Sequence, residues 1–187
     1  MPSASGPAKQ PVSAVMAGPY GHPYHPMLVA VPIGAWVASL VFDIGSHLSS
    51  DSGALAQGSV WLIAIGVVGA LAAASTGFLD LLAIPTGTRA FRTCIVHMSL
   101  NLLVTVCYVL GFVWRLGDYG HDRAVGAGQL ALSVASLIIL SVAGFLGGRM
   151  AYRYGVRVAD ESTQHEGFST DSPPAAAPME VHPKHIG

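Results

Sequence analysis

The chain has 187 residues, of which 52% are hydrophobic and only 10% charged, against about 25% charged in ordinary soluble domains. That deficit excludes a water-soluble globule and a disordered chain, and the absence of a three-residue glycine period excludes a collagen-like repeat. Nine Lys and Arg face ten Asp and Glu, so a net charge of −1 offers no footprint for nucleic acid. Two cysteines cannot form a disulfide scaffold. Cys94 and Cys107 fall on one expected helix about 20 Å apart, too far to pair, and read as small apolar residues.

Residues 1–20 are rich in Pro, Ser, Ala and Gly, carry only Lys9 as a charge, and are expected to be a disordered lead. They have neither the charged start nor the apolar core of a signal peptide. Everything with the look of structure follows Met16, which makes Met16 a candidate start that N-terminal sequencing of the native protein decides. Four long apolar stretches come next, Met27 to Leu48, Gly58 to Ile84, Arg92 to Trp114 and Gly126 to Gly148, with Asp43, Asp80 and Arg92 as their only formal charges. About 20 residues rising ~1.5 Å each cross the ~30 Å hydrocarbon layer, and only a helix satisfies its own backbone there. The expected fold is therefore all-α: a four-helix transmembrane bundle over residues 21–154, with disordered tails at 1–20 and 155–187.

Short loops near Asp51, from Pro85 to Thr88 and from Gly117 to Arg123 make sequential helices antiparallel neighbours. Placing both termini in the cytoplasm puts Lys9, Arg89, Arg92, Arg149, Arg153 and Arg157 inside and only Arg115 and Arg123 outside, as the positive-inside bias requires. Trp61 and Trp114 fit an outer aromatic belt, whereas Trp36 falls mid-helix and reads as packing.

Small and polar residues at helical spacing mark the inward faces: Trp36, Ser39, Asp43 and Ser46; Gly66, Gly69, Ala73, Thr76 and Asp80; Cys94, His97, Asn101, Thr105 and Tyr108; Gln129, Ser133, Ser136, Gly144 and Gly147. The Gly and Ser positions read as close-packing seams, and Gly144 to Gly148 is also a possible dimer motif. Ionisable groups inside a bilayer need a stronger reason. Asp80, His97, Asn101, Arg89, Arg92, His22, His25, Arg149 and Tyr152 fall toward the cytoplasmic end. Asp43 and His47 lie toward the other end, where Arg115 and Gln129 are within reach. The plain reading is a buried polar network, with Asp80 neutralised by Arg89, Arg92 or Arg149 and His97 bonded to a backbone carbonyl. Asp43 reads as a structural acid.

The sharper reading is a cytoplasmic-side pocket formed by His22, His25, Asp80, His97 and Asn101 that holds a haem iron, a quinone headgroup or a proton path. A haem b held by two histidines needs imidazoles from different helices at one depth. His97 qualifies as one, and His25 or His22 as the other only if the segment from Gly21 to Pro26 dips into the bundle. No P-loop, GxSxG, HExxH or CxxC occurs, so no enzyme activity is expected.

The run G-H-P-x-H-P-M-L-V at Gly21 to Val29, Asp43, Gly77-x-x-Asp80, Arg89, His97-x-x-x-Asn101 and L-G-G-R-M-A-Y-R-Y-G-V at Leu146 to Val156 resemble the bacterial membrane-protein family called domain of unknown function 2231. The resemblance implies a four-helix protein of the bacterial cytoplasmic membrane, joined in some relatives to a Rieske-type iron–sulfur domain, and through that association it suggests membrane electron transfer. This chain lacks the Cys-x-His and Cys-x-x-His ligand pairs of such a cluster. Redox work would require a bound cofactor or redox membrane proteins as partners. The alternatives are a cofactor-free accessory or assembly subunit, with or without homo-oligomerisation, and a proton or small-solute transporter. Four helices with no evident inverted repeat make a small transporter.

Overall fold

The structure is a computed structural model and describes residues 9, 21 and 23–166. Its elements are α1 (Tyr24–Leu28), α2 (Ala30–Leu48), α3 (Ser52–Leu82), α4 (Arg89–Leu116), α5 (Ala127–Tyr154) and a short α6 (Glu161–Glu166). Among the described residues there is no strand. α1 and α2 form one kinked span, and with α3, α4 and α5 they make four helices long and apolar enough to cross a membrane. The fold is thus the expected all-α bundle in a lipid bilayer. Its outer surface agrees: Val68 is 69% exposed and Phe145 72%, an exposure that water would punish and lipid does not.

Local chemistry sets the breaks. Pro32 cannot donate to the carbonyl of Leu28, and its ring crowds that carbonyl, so the first span bends at Val29. Thr88 caps α4 by accepting a hydrogen bond from the Phe91 N–H at 3.1 Å. The Gln129 side chain reaches back to the Gly126 N–H at 3.1 Å at the start of α5. Gly155 ends α5 in the left-handed region, at φ 65°.

Three of the helices run further into polar sequence than the apolar stretches do. α3 starts at Ser52 rather than Gly58, and α5 continues past Gly148 to Tyr154. A helix crossing the headgroup layer still has to satisfy its backbone, so it ends where a cap or a turn takes over and not where hydrophobicity stops. The boundary expected at residue 155 also moves. Val156 packs against the cluster of Leu81, Ile84 and Cys94, and Arg157, itself at φ 57°, turns back to Asp80.

The bundle consists of two hairpins, α1 to α3 and α4 with α5. They are related by a repeat that the amino-acid identities hide. Asp43 and Arg115, 72 residues apart, form an ion pair. Trp36 and Tyr108, at the same offset, stack with ring centroids 4.2 Å apart and planes within 8°. His25 and His97, again at that offset, lie edge to face. Residues that touch their own counterparts lie on a two-fold axis, so these three pairs mark a pseudo-two-fold running along the bundle.

Burial follows the same rule. Every buried residue of α5, namely Gln129, Ser133, Ser136 and Ala143, lies 70 positions after a buried residue of α3: Ser59, Ile63, Gly66 or Ala73. The buried Val104, Tyr108, Gly111 and Arg115 of α4 likewise answer the buried Pro32, Trp36, Ser39 and Asp43 of α2. The repeat is parallel, with both hairpins starting at the same end of the bundle, and therefore differs from the inverted kind considered for a transporter.

Candidate functional site

The three pairs divide the axis into tiers. At the far end, where α2 passes to α3 and α4 to α5, lies a fully buried charged network. Asp43 Oδ2 accepts from Arg115 Nη2 at 2.7 Å and from Ser133 Oγ at 3.1 Å, while Oδ1 accepts from Ser59 Oγ at 2.5 Å. Arg115 also donates to the Gly111 carbonyl from Nη1 and to the Gln129 carbonyl from Nη2, each at 3.3 Å. All four long helices contribute to this network. Asp43 is 0% exposed and Arg115 3%, so each charge depends on the other for the solvation that water would have supplied. Asp43 is thus the structural acid expected from the sequence, and Arg115 is its partner. The Gln129 side chain goes instead to Asp118, at 2.9 Å, and Asp118 also binds Arg123.

The middle tier is the Trp36–Tyr108 stack. Gly66 permits it, because a Cβ at that position would collide with the Trp36 indole. Trp36 also donates to the Ile63 carbonyl at 3.4 Å. Trp61 and Trp114 stay exposed at the far end, as a lipid-interface belt requires.

The third tier, nearer the end where the chain enters and leaves the bundle, holds the histidines. The segment around Pro26 does dip inward: His25 Nδ1 lies 2.8 Å from the Ala73 carbonyl, two and a half turns inside α3. His97 Nδ1 lies 2.8 Å from the Ala143 carbonyl, three turns inside α5. A carbonyl can only accept, so each Nδ1 carries a proton, and in the neutral ring Nε2 is then the nitrogen with the lone pair. The ring centroids are 6.4 Å apart, with planes at 83°.

One turn beyond each acceptor stands a glycine whose absent side chain makes room for the ring. A Cβ on Gly77 would come within 2.8 Å of the His25 ring, and one on Gly147 within 3.1 Å of the His97 ring. Ala-x-x-x-Gly on α3 and on α5 therefore cradles one histidine in each hairpin. Asn101 breaks the symmetry. Its Nδ2 donates to the His97 carbonyl at 2.8 Å and lies 3.3 Å from Nε2 of the same ring.

The polar network expected around this tier is smaller than the sequence implied. Asp80 pairs at 2.9 Å with Arg157, not with Arg89, Arg92 or Arg149. Those three arginines are exposed, as is Tyr152 at 93%. Helical phase explains α5: with Ala143 and Gly147 turned to the axis, residues 149, 152 and 153 must face outward. Arg89 and Arg92 occupy the first turn of α4 and extend to the bilayer edge. His22 lies outside the described residues. Among the described residues no group of three or more His, Cys, Asp or Glu is placed to hold a metal ion.

Sequence reasoning named His25, His97 and Asn101 but missed Arg157, Ser59 and the two Ala-x-x-x-Gly cradles. The offset of 72 residues separating Asp43 from Arg115 is the signal that would have found the axis, because it recurs in His25/His97 and Trp36/Tyr108.

A fourfold membrane-crossing bundle around a histidine-bearing axis defines the class. The family described as Predicted membrane protein (DUF2231) matches residues 21–160, and the chain belongs to that family. No curated protein and no solved structure matches the chain.

Proposed function

We propose that His25 and His97 would hold a haem b between the two hairpins, and that the protein carries electrons within the membrane. One observation carries this reading: two imidazoles, one from each hairpin, meet on the axis with both Nδ1 atoms committed to backbone carbonyls. That hydrogen bond is the usual outer-shell support of a metal-bound histidine, since it fixes the tautomer and orients Nε2. Gly77 and Gly147 let each ring lie close against the helix that holds it, which fixes the ring's position. When bound, haem supplies a one-electron couple; the chain's own residues position it and keep water away.

A quinone headgroup fits less well, because the Nδ1–H donors it would need are already used. A proton relay also has weak support at the far end, where both oxygens of Asp43 are engaged. The end bearing Arg89, Arg92, Arg149 and Arg153 faces the cytoplasm of a bacterial cell in this reading, in keeping with the positive-inside bias.

Protein purified from membranes in mild detergent should show a Soret band that His97→Ala abolishes without loss of helix content by circular dichroism. A colourless preparation that takes up no added haemin would contradict the proposal. It would favour a cofactor-free accessory subunit, which the edge-to-face contact of the two rings also supports. In that case His97→Gln retains whatever function the intact membrane complex has.

A further inference from the structure

The outward face of α5 near its C-terminal end departs from the repeat in a way that packing does not require. Arg149 and Arg153, one turn apart, are both exposed there, and with Phe145, Gly148 and Tyr152 they line a shallow open groove. The counterparts of the two arginines are Leu79 on α3 and Ala83 just past its end, so the other hairpin forms the same bundle without a charge at these positions.

Among the described residues no carboxylate pairs with either arginine. Asp43, Asp80, Asp118 and Glu161 are held by Arg115, Arg157, Arg123 and Lys9. Arg149 instead lies 5.6 Å from the Tyr154 ring centroid. Below the arginines the helix surface is notched. A Cβ on Gly144 would meet nothing within 4 Å, and one on Gly148 only the Tyr152 ring at 3.9 Å. On α3 the corresponding positions are Ala74 and Phe78, which fill the notch.

We infer that this face binds an anionic phospholipid, with its phosphate on Arg149 and Arg153 and an acyl chain along the Gly144–Gly148 notch between Phe145 and Tyr152. Charge complementarity selects the occupant. Two guanidinium groups on a lipid-facing helix, about one turn inside its end, meet headgroup phosphates at that depth and are short of any protein anion. A second copy of the chain would bring the same two positive charges into the contact and repel itself.

The test uses the full-chain protein in mild detergent, mixed with phosphatidylglycerol or with phosphatidylcholine of identical acyl chains, and reads bound lipid by native mass spectrometry. Phosphatidylglycerol is expected to be retained in preference. The Arg149→Gln/Arg153→Gln variant should weaken that retention on the order of tenfold, while Arg89→Gln/Arg92→Gln, exposed arginines at the same end of the bundle, changes it less than about twofold. Gly148→Leu fills the notch without touching a charge and should weaken retention as well. Equal retention of both lipids, an equal loss in the two arginine pairs, or full retention in Gly148→Leu would each overturn the proposal. So would a dimer cross-linked through α5 in lipid-free detergent, which would make this face an interface between copies.

Discussion

At the far end of the axis Asp43 uses both carboxylate oxygens and Arg115 both terminal nitrogens, and the hydrogen bonds draw in all four long helices. At the other end the side-chain bonds are fewer: Nδ1 of His25 and of His97 each bind a backbone carbonyl, and Nε2 of His97 lies 3.3 Å from Asn101 Nδ2. Each tier pairs residues that are equivalent in the repeat, yet the two bond differently. The ion pair and its hydrogen bonds tie the hairpins to one another, whereas the imidazoles are each anchored to a helix of their own hairpin. The difference teaches that burial of polar groups in a membrane bundle is ambiguous until their bonding capacity has been counted.

The sharpest way to break the comparison is to remove the far-end acid. Asp43→Ala leaves Arg115 buried without its counter-charge and should cost about 3–5 kcal/mol, read as thermal unfolding in detergent. Because the two positions are equivalent, exchanging the charges with Asp43→Arg and Arg115→Asp together should recover at least half of that loss. A swap no better than the single variant would mean that the axis is not a functional symmetry of the packing.

Smaller effects separate positions that touch the axis from those that do not. Gly66→Ala drives a methyl into the Trp36 indole and should cost about 1–3 kcal/mol. Gly144→Ala, on the open face, should be neutral or stabilising by up to about 1 kcal/mol through helix propensity. Equal destabilisation by the two would show that the middle tier is no tighter than the lipid-facing surface.

Weaker still is the tether at the chain-exit end. Asp80→Asn removes the ionic partner of Arg157 and should release residues 155–158 from the bundle, seen as faster amide exchange there with global stability changed by only about 1–2 kcal/mol. Unchanged exchange would place the anchoring in the packing of Val156 alone.

Much of this molecule was legible from composition and spacing. The four spans follow from apolar length, Trp36 read correctly as packing, and Asp43 had Arg115 and Gln129 within reach at its end, of which the Arg115 side chain is the one that pairs with it. Asp80 could not be matched to Arg157, because that pairing depends on two successive reversals, at Gly155 and at Arg157 itself, in a segment whose composition resembles a tail. Arg89, Arg92 and Arg149 looked like better partners on linear depth, and only the helical phase turned them outward. The axis was hidden for a different reason. Of its three pairs only the histidines share an identity, while Trp/Tyr and Asp/Arg match in size or in complementary charge, which a search for repeated letters does not detect.

Titration of the purified full-chain protein with haemin, followed optically and by electron paramagnetic resonance, tests the histidine tier most directly. Uptake of one equivalent as a low-spin species, with His25→Ala and His97→Ala each losing the low-spin signal while Asn101→Ala keeps it, is the result expected of a ligand held on the axis by both rings. Binding that survives loss of either histidine unchanged, or no binding at all, would contradict it.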